Sequence, residues 1–458
     1  MTADSGLRSF SWRDALRESR LVSSWGELVG RLRAFLAPWL GTSFVARHAD
    51  TWLVWAGMLL AFALPVVGTG TAAVLTWVFF AAAIWHGLVR PGGADAGAPR
   101  PFDVLVLLGI LVSFIAVVAS PYLGPSLKGF AKGVVYWAGF VAWRRMVGSV
   151  PGGGRAFLAA LFAGALIQGV YGIYQWTIHV PPLALWDDAD AEVQLTRVYG
   201  SLRNPNLLSG YLLPIIPVAI AGALSRGHVA FRTTAALTAL AGTACLYFTY
   251  SRGAFLGLFA ALGVMGLVAG QRWLGRAGRR GVVTVAVVAV LGGLLAWFAF
   301  QHAPGLQERL ASITATRTHS SNSFRMNVWI GVLQMLHDSW WFGVGVGNDA
   351  FRKAYALYMV TGFEALGAYN IFLEEAVEKG LLGLVVFLGL FAGAFIQLVR
   401  HIRRTGAWVA AAGIMAALTG IAIHGLVDTV FYRPAVQLVF WALLACASHP
   451  ASLERGEA

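Results

Sequence analysis

Long apolar runs alternate with short polar connections over most of this chain. They fall near residues 51–67, 71–89, 102–120, 127–143, 156–177 and 206–225, and again near 233–250, 253–270, 282–300, 380–399, 407–425 and 435–448. Crossing a hydrocarbon layer of ~30 Å takes ~20 helical residues, and a helix satisfies its own backbone hydrogen bonds where no water can. The pattern therefore predicts an all-α integral membrane protein with about twelve transmembrane helices. Composition agrees: with 12% charged residues and a mean hydropathy of +0.69, too few polar side chains exist to cover a water-soluble globule.

The net charge of +13 raises nucleic acid as a partner, but the Arg residues lie in short clusters between apolar runs and form no continuous basic domain. Membrane topology accounts for them instead. With the N-terminus inside, the cytoplasmic connections collect fourteen Arg, among them Arg144, Arg145, Arg155, Arg272 and Arg400. The short external connections hold only Lys128, Arg197, Arg203, Arg252 and Arg433. This bias predicts cytoplasmic termini and a multi-pass protein of the cytoplasmic (inner) membrane. It divides the chain into a basic, interfacial segment (1–48), nine spans (49–300), an external helical domain (301–379), three spans (380–449) and a cytoplasmic tail (450–458). Cys245 and Cys446 both sit in apolar stretches, which excludes a disulfide framework or a cysteine metal site.

Two external connections, roughly 178–205 and 301–379, exceed what connection geometry needs, and surplus length in a loop points to function. In the second, Phe324, Val328, Ile330, Val332, Met335 and Leu336, with Trp329, predict an amphipathic helix ahead of Gly343-Val344-Gly345-Val346-Gly347. It is expected to fold as a helical cap on the membrane surface.

Arg203, in RVYGSLRNPN, and Arg252, in TYSRG, lie at external helix ends where positive charge is otherwise avoided. Two guanidinium forks could clamp a diphosphate; equally, they could snorkel to headgroups or pair with Glu374, Glu375 or Asp428. Asn204-Pro205-Asn206 opens the sixth span, and free N–H groups at such a helix start could bind an anion, or the segment is an ordinary helix start. Glu374 and Glu378 share one helix face and could take a proton from a hydroxyl, or simply be solvated. His319, His337 and His424 lack metal-ligand spacing, and no metal or other cofactor is expected. Asp187, Asp188 and Asp190 form an acidic loop that could hold a cation or only be solvated. No GxxxxGK[ST] run occurs.

In order, RVYGSLRNPN, TYSRG (249–253), FRMNVW (324–329) before GVGVG, Tyr369-Asn370 nine residues before GLLG, and HGLVDTVFYRP (424–434) resemble the O-antigen ligase and polymerase superfamily. The resemblance implies a metal-independent membrane glycosyltransferase of the GT-C type. Such an enzyme transfers a glycan from a polyprenyl (undecaprenyl) diphosphate carrier to an acceptor hydroxyl, on a glycan or a lipid, outside the cytoplasmic membrane. By position, Arg203 and Arg252 look like the family's diphosphate-binding arginines, with Asn204, Asn206 and Arg325 as further diphosphate candidates and Tyr369, Glu374 and Glu378 as the candidates for catalysis. The ligases carry His where this chain has Tyr369, and a phenol with a pKa near ~10 is a poor base. In that respect the chain looks more like a branch that includes cyanobacterial proteins linked to inorganic-carbon accumulation. A small-anion, bicarbonate-like transporter and a non-catalytic partner in envelope-polysaccharide assembly are the competing expectations.

Overall fold

The computed structural model describes residues 43–90, 101–183, 196–272 and 321–453, with a few positions between 27 and 38. The expected ninth span (282–300), His319 and the acidic run Asp187–Asp190 lie outside the described residues, as does most of the N-terminal segment.

Every other apolar run forms a helix. They are α1 (Ala49–Ala63), α2 (Thr69–Val89), α3 (Pro101–Ala119), α4 (Leu123–Ser149), α5 (Gly153–Thr177), α6 (Pro205–Leu224), α7 (Val229–Phe248) and α8 (Arg252–Arg272). Two helices of the long connection follow, α9 (Ser321–Asp338) and α10 (Asn348–Tyr355). Then come α11 (Ile371–Thr405), α12 (Val409–Gly425) and α13 (Pro434–Ser448). Seven helices among the described residues are long and apolar enough to cross a bilayer, and α1, α12 and α13 are shorter apolar helices. The chain is an all-helical, multi-pass membrane protein.

Burial separates the helices by role. Nearly all of α6 is buried, as its all-round apolar sequence requires for a helix at the centre; α5, α7 and α12 pack around it. By contrast α3 keeps Leu107, Leu111, Phe114 and Val118 exposed at three- and four-residue spacing, a stripe that faces lipid.

The two ends of the bundle differ in chemistry. At one end, Arg145 Nε donates to His86 Nδ1 (2.9 Å), which leaves His86 Nε2–H to donate to Asp50 (2.9 Å). Arg144 pairs with Asp103 at 2.7 Å, and Arg272 donates to the Ile402 carbonyl at 2.6 Å. This basic end joins the termini of α1–α4, α8 and α11. The opposite end, the cap end, carries α9 and α10.

The amphipathic helix is present as α9, but its apolar residues divide between two faces. Val328, Val332 and Met335 are buried against Phe351, Ala354, Tyr355 and Val377, whereas Ile330 is half-exposed with Met326 and Leu333. Only the Val328–Val332–Met335 face packs on protein, because α10 and the start of α11 supply a surface for it that periodicity does not reveal.

Candidate functional site

Three helix starts at the cap end share one construction. Arg203 (φ 58°), Tyr250 (φ 50°) and Tyr369 (φ 50°) each stand two residues ahead of α6, α8 and α11. A non-glycine residue in the left-handed region is strained, and such strain concentrates at functional sites. The next residue closes the helix start. Asn204 Oδ1 accepts the N–H groups of Asn206 (2.8 Å) and Leu207 (3.2 Å), and Asn370 Oδ1 those of Phe372 (2.9 Å) and Leu373 (3.1 Å). The amides at the start of α6, expected to be free for an anion, are therefore satisfied by Asn204, and Pro205 has no N–H to offer.

Arg197 joins the first two motifs. Its Nε donates to the Thr249 carbonyl (2.9 Å) and a terminal nitrogen to Asn206 Oδ1 (3.1 Å), so the loop before α6 is fastened to the end of α7. This places Arg203, exposed and without a hydrogen bond or ion pair among the described residues, beside the segment that presents half-buried Arg252.

The turn 424–429 connects this region to α11. Gly253, directly after Arg252, lies so close to His424 and Val427 that a Cβ would strike both. Asp428 faces Arg325 of α9 at 3.7 Å, both side chains mostly buried. The Thr429 hydroxyl donates to the Glu374 carboxylate, and Glu375 pairs with Lys379. Asp428 and Glu375, which sequence reasoning offered as partners for Arg203 and Arg252, are thus engaged by Arg325 and Lys379. Both ring nitrogens of His424 and Nε of Arg325 are buried without a hydrogen-bond partner among the described residues.

Tyr369 sets its ring edge-on to Phe324 of α9, at 5.3 Å between centroids. The indole N–H of Trp329 holds the Ala368 carbonyl at 3.0 Å, so α9 fixes the strained backbone before Asn370.

Glu374 and Glu378 line a cavity of about 380 Å³ between α3, α4, α11 and α13. Lys132, Arg352 and Arg433 line it with them, and Trp137, Phe387, Phe440 and Trp441 form apolar walls. Arg203 and Arg252 are not among its lining residues. Sequence reasoning missed Lys132, Arg352, Thr429 and the role of Arg197, because none stands in a spacing that carries a chemical signal.

The GVGVG segment closes this cavity. It threads between the start of α4 and a break in α11 at Gly380, whose φ of 70° and ψ of −173° interrupt the helix. Any side chain at Gly380 would run into the Trp341 carbonyl. The Val344 and Gly345 amides donate to the Val377 (2.8 Å) and Glu378 (3.1 Å) carbonyls, Ser120 donates to the Val344 carbonyl (2.7 Å), and Ser126 accepts from the Val346 amide (2.8 Å). Glycines 343, 345 and 347 serve close backbone packing here. On the cap itself, hydrogen bonds from His337 and Tyr358 hold the Asp338 carboxyl below its usual range.

No curated protein matches the chain. A family model does: residues 236–388, which contain TYSRG, FRMNVW, GVGVG and the Tyr369–Gly383 motif, are similar to the Wzy_C family, described as O-antigen ligase.

Proposed function

We propose that this protein is a membrane glycosyltransferase of the O-antigen ligase and polymerase type, with twelve spans, cytoplasmic termini and its active site at an external cap end formed around residues 301–379. The donor is a glycan on a polyprenyl diphosphate and the acceptor a hydroxyl on a glycan or lipid. The observation that carries this reading is the cavity in which the Glu374–Glu378 face, part of the segment similar to the ligase family, meets four cationic side chains, Lys132, Arg352, Lys379 and Arg433, above apolar walls. A lipid-linked sugar needs that combination of a polar, charged head region and an apolar seat.

The acceptor oxygen attacks the anomeric carbon as the bond from that carbon to the diphosphate oxygen breaks. The hydroxyl proton passes to Glu378 or Glu374, and the polyprenyl diphosphate leaves with the bonding electrons. Arg203 and Arg252, at the cap end outside the cavity lining, stabilise the diphosphate by charge as it departs, with Arg325 adding charge beside Asp428. Tyr369 orients the acceptor, since the neighbouring carboxylates are the better bases at neutral pH.

The test is transfer from a polyprenyl-diphosphate oligosaccharide by the purified protein in lipid, with native membrane extract supplying acceptor. Transfer that vanishes in Arg252→Ala supports a glycosyltransferase. Absence of transfer with any acceptor, or undiminished transfer in both Arg203→Ala and Arg252→Ala, overturns it.

A further inference from the structure

The turn after α9 carries three large aromatic residues in a row, Trp340, Trp341 and Phe342, each about half-exposed. Nothing in the site described above uses their side chains. Along α9 itself, Met326, Ile330 and Leu333 are half-exposed on the face opposite the one that packs on the protein. Six large apolar side chains at one edge of a cap form a patch that water does not favour.

Its surroundings identify the occupant. Phe342 shares a shallow apolar groove with Phe114, Ile115, Val118 and Ala119, the cap-end portion of α3. Phe114 and Val118 belong to the α3 stripe that faces lipid, so the aromatic turn continues a surface already in contact with the bilayer. Tryptophan suits that level because its ring is apolar and its N–H polar.

We propose that the outer face of α9 and the Trp340-Trp341-Phe342 turn form a membrane anchor, seated in the interface of the lipid leaflet at the cap end. The backbone of the anchor is fastened to the cavity wall. The Trp340 carbonyl accepts the Leu381 amide at 2.7 Å, the Gly343 amide donates to Ser339 at 2.8 Å, and the Trp341 carbonyl fills the space left at Gly380. The anchor therefore holds the Gly380 break, and with it Glu378, at a fixed height above the hydrocarbon. It requires only the membrane embedding of the chain, whatever reaction the cavity supports.

The experiment is spin-label accessibility on the full chain in nanodiscs of phosphatidylethanolamine and phosphatidylglycerol. Single labels go at Ile330→Cys and Trp341→Cys, with Glu364→Cys, an exposed position on the same cap, as the aqueous reference. Cys245 and Cys446 are buried and stay in place, and their continued protection from a thiol dye verifies that each variant is folded. Labels at 330 and 341 are expected to collide more with oxygen than with a water-soluble nickel chelate, and the label at 364 to show the reverse. Water-like behaviour at 330 and 341 overturns the anchor. So does shielding from both reagents, which would mean that protein covers the face.

Discussion

The Thr429 hydroxyl donates to the carboxylate of Glu374, which ties the turn after α12 to the first turn of α11. Asp428, one residue earlier, faces Arg325 on α9. Through two adjacent residues, the 424–434 segment therefore contacts both the cap and the carboxylate face that lines the cavity.

Thr429→Val removes the donor while nearly keeping the shape, leaving Glu374 with an unsatisfied oxygen. A loss of ~1–3 kcal/mol is the usual effect of such an orphaned acceptor, so transfer is expected to fall about tenfold. Thr429→Ser should retain it. Steady-state transfer by the reconstituted variants checks this, and equal rates for Val and Ser would show that the hydroxyl has no role.

Glu378→Gln and Glu374→Gln should differ. Glutamine at 374 still offers an oxygen to Thr429, whereas at 378 it removes a group with the capacity to accept a proton beside the cavity. The expected loss in kcat for Glu378→Gln is about 10²–10⁴-fold, typical of removing a general base, with a smaller effect at 374. Single-turnover rates with saturating donor separate the two.

Arg325→Ala leaves Asp428 buried without its cation. Breaking a buried pair costs about 3–5 kcal/mol, and the 3.7 Å separation places this pair near the lower figure. Thermal exposure of Cys245 and Cys446 to a thiol-reactive dye should begin at lower temperature. Adding Asp428→Asn should recover part of the loss; no recovery would mean that Arg325 acts through packing alone.

Arg197→Lys replaces a fork that reaches two acceptors with a point charge that reaches one. If the fork aligns Arg203 and Arg252 on the donor, KM for the lipid-linked glycan should rise about tenfold, roughly the loss of one charge-assisted hydrogen bond. The kcat should stay near its original value. A fall in kcat with unchanged KM would place Arg197 in a different step.

Gly380→Ala forces a left-handed residue and a Cβ against the Trp341 carbonyl. The expected cost is about 3 kcal/mol from backbone strain and displaced contacts. Proteolysis within 339–347 should accelerate if the segment leaves its seat, while helix content from circular dichroism stays nearly unchanged.

The sequence by itself determined the membrane class, the approximate position of each described span and the motifs that fall in the segment similar to the ligase family. Apolar run length is a one-dimensional property, and in a bilayer it dictates a helix because no other local structure satisfies the backbone. Helix starts were legible for the same reason: the Asn at 204 and at 370 caps the backbone two and three residues on, and that chemistry is local. What the motifs touch was not legible. Periodicity placed Ile330 with Val328 and Val332, yet only the packing of α10 and α11 decides which of α9's faces is covered. Glu374 meets Thr429 across 55 residues of chain, and Arg325 meets Asp428 across more than a hundred, contacts that no local pattern encodes. The cavity is a product of the same long-range packing. Lys132, Arg352 and Arg433 come from three different segments, and only the folded arrangement of α4, α10, α11 and α13 brings their charges to one space.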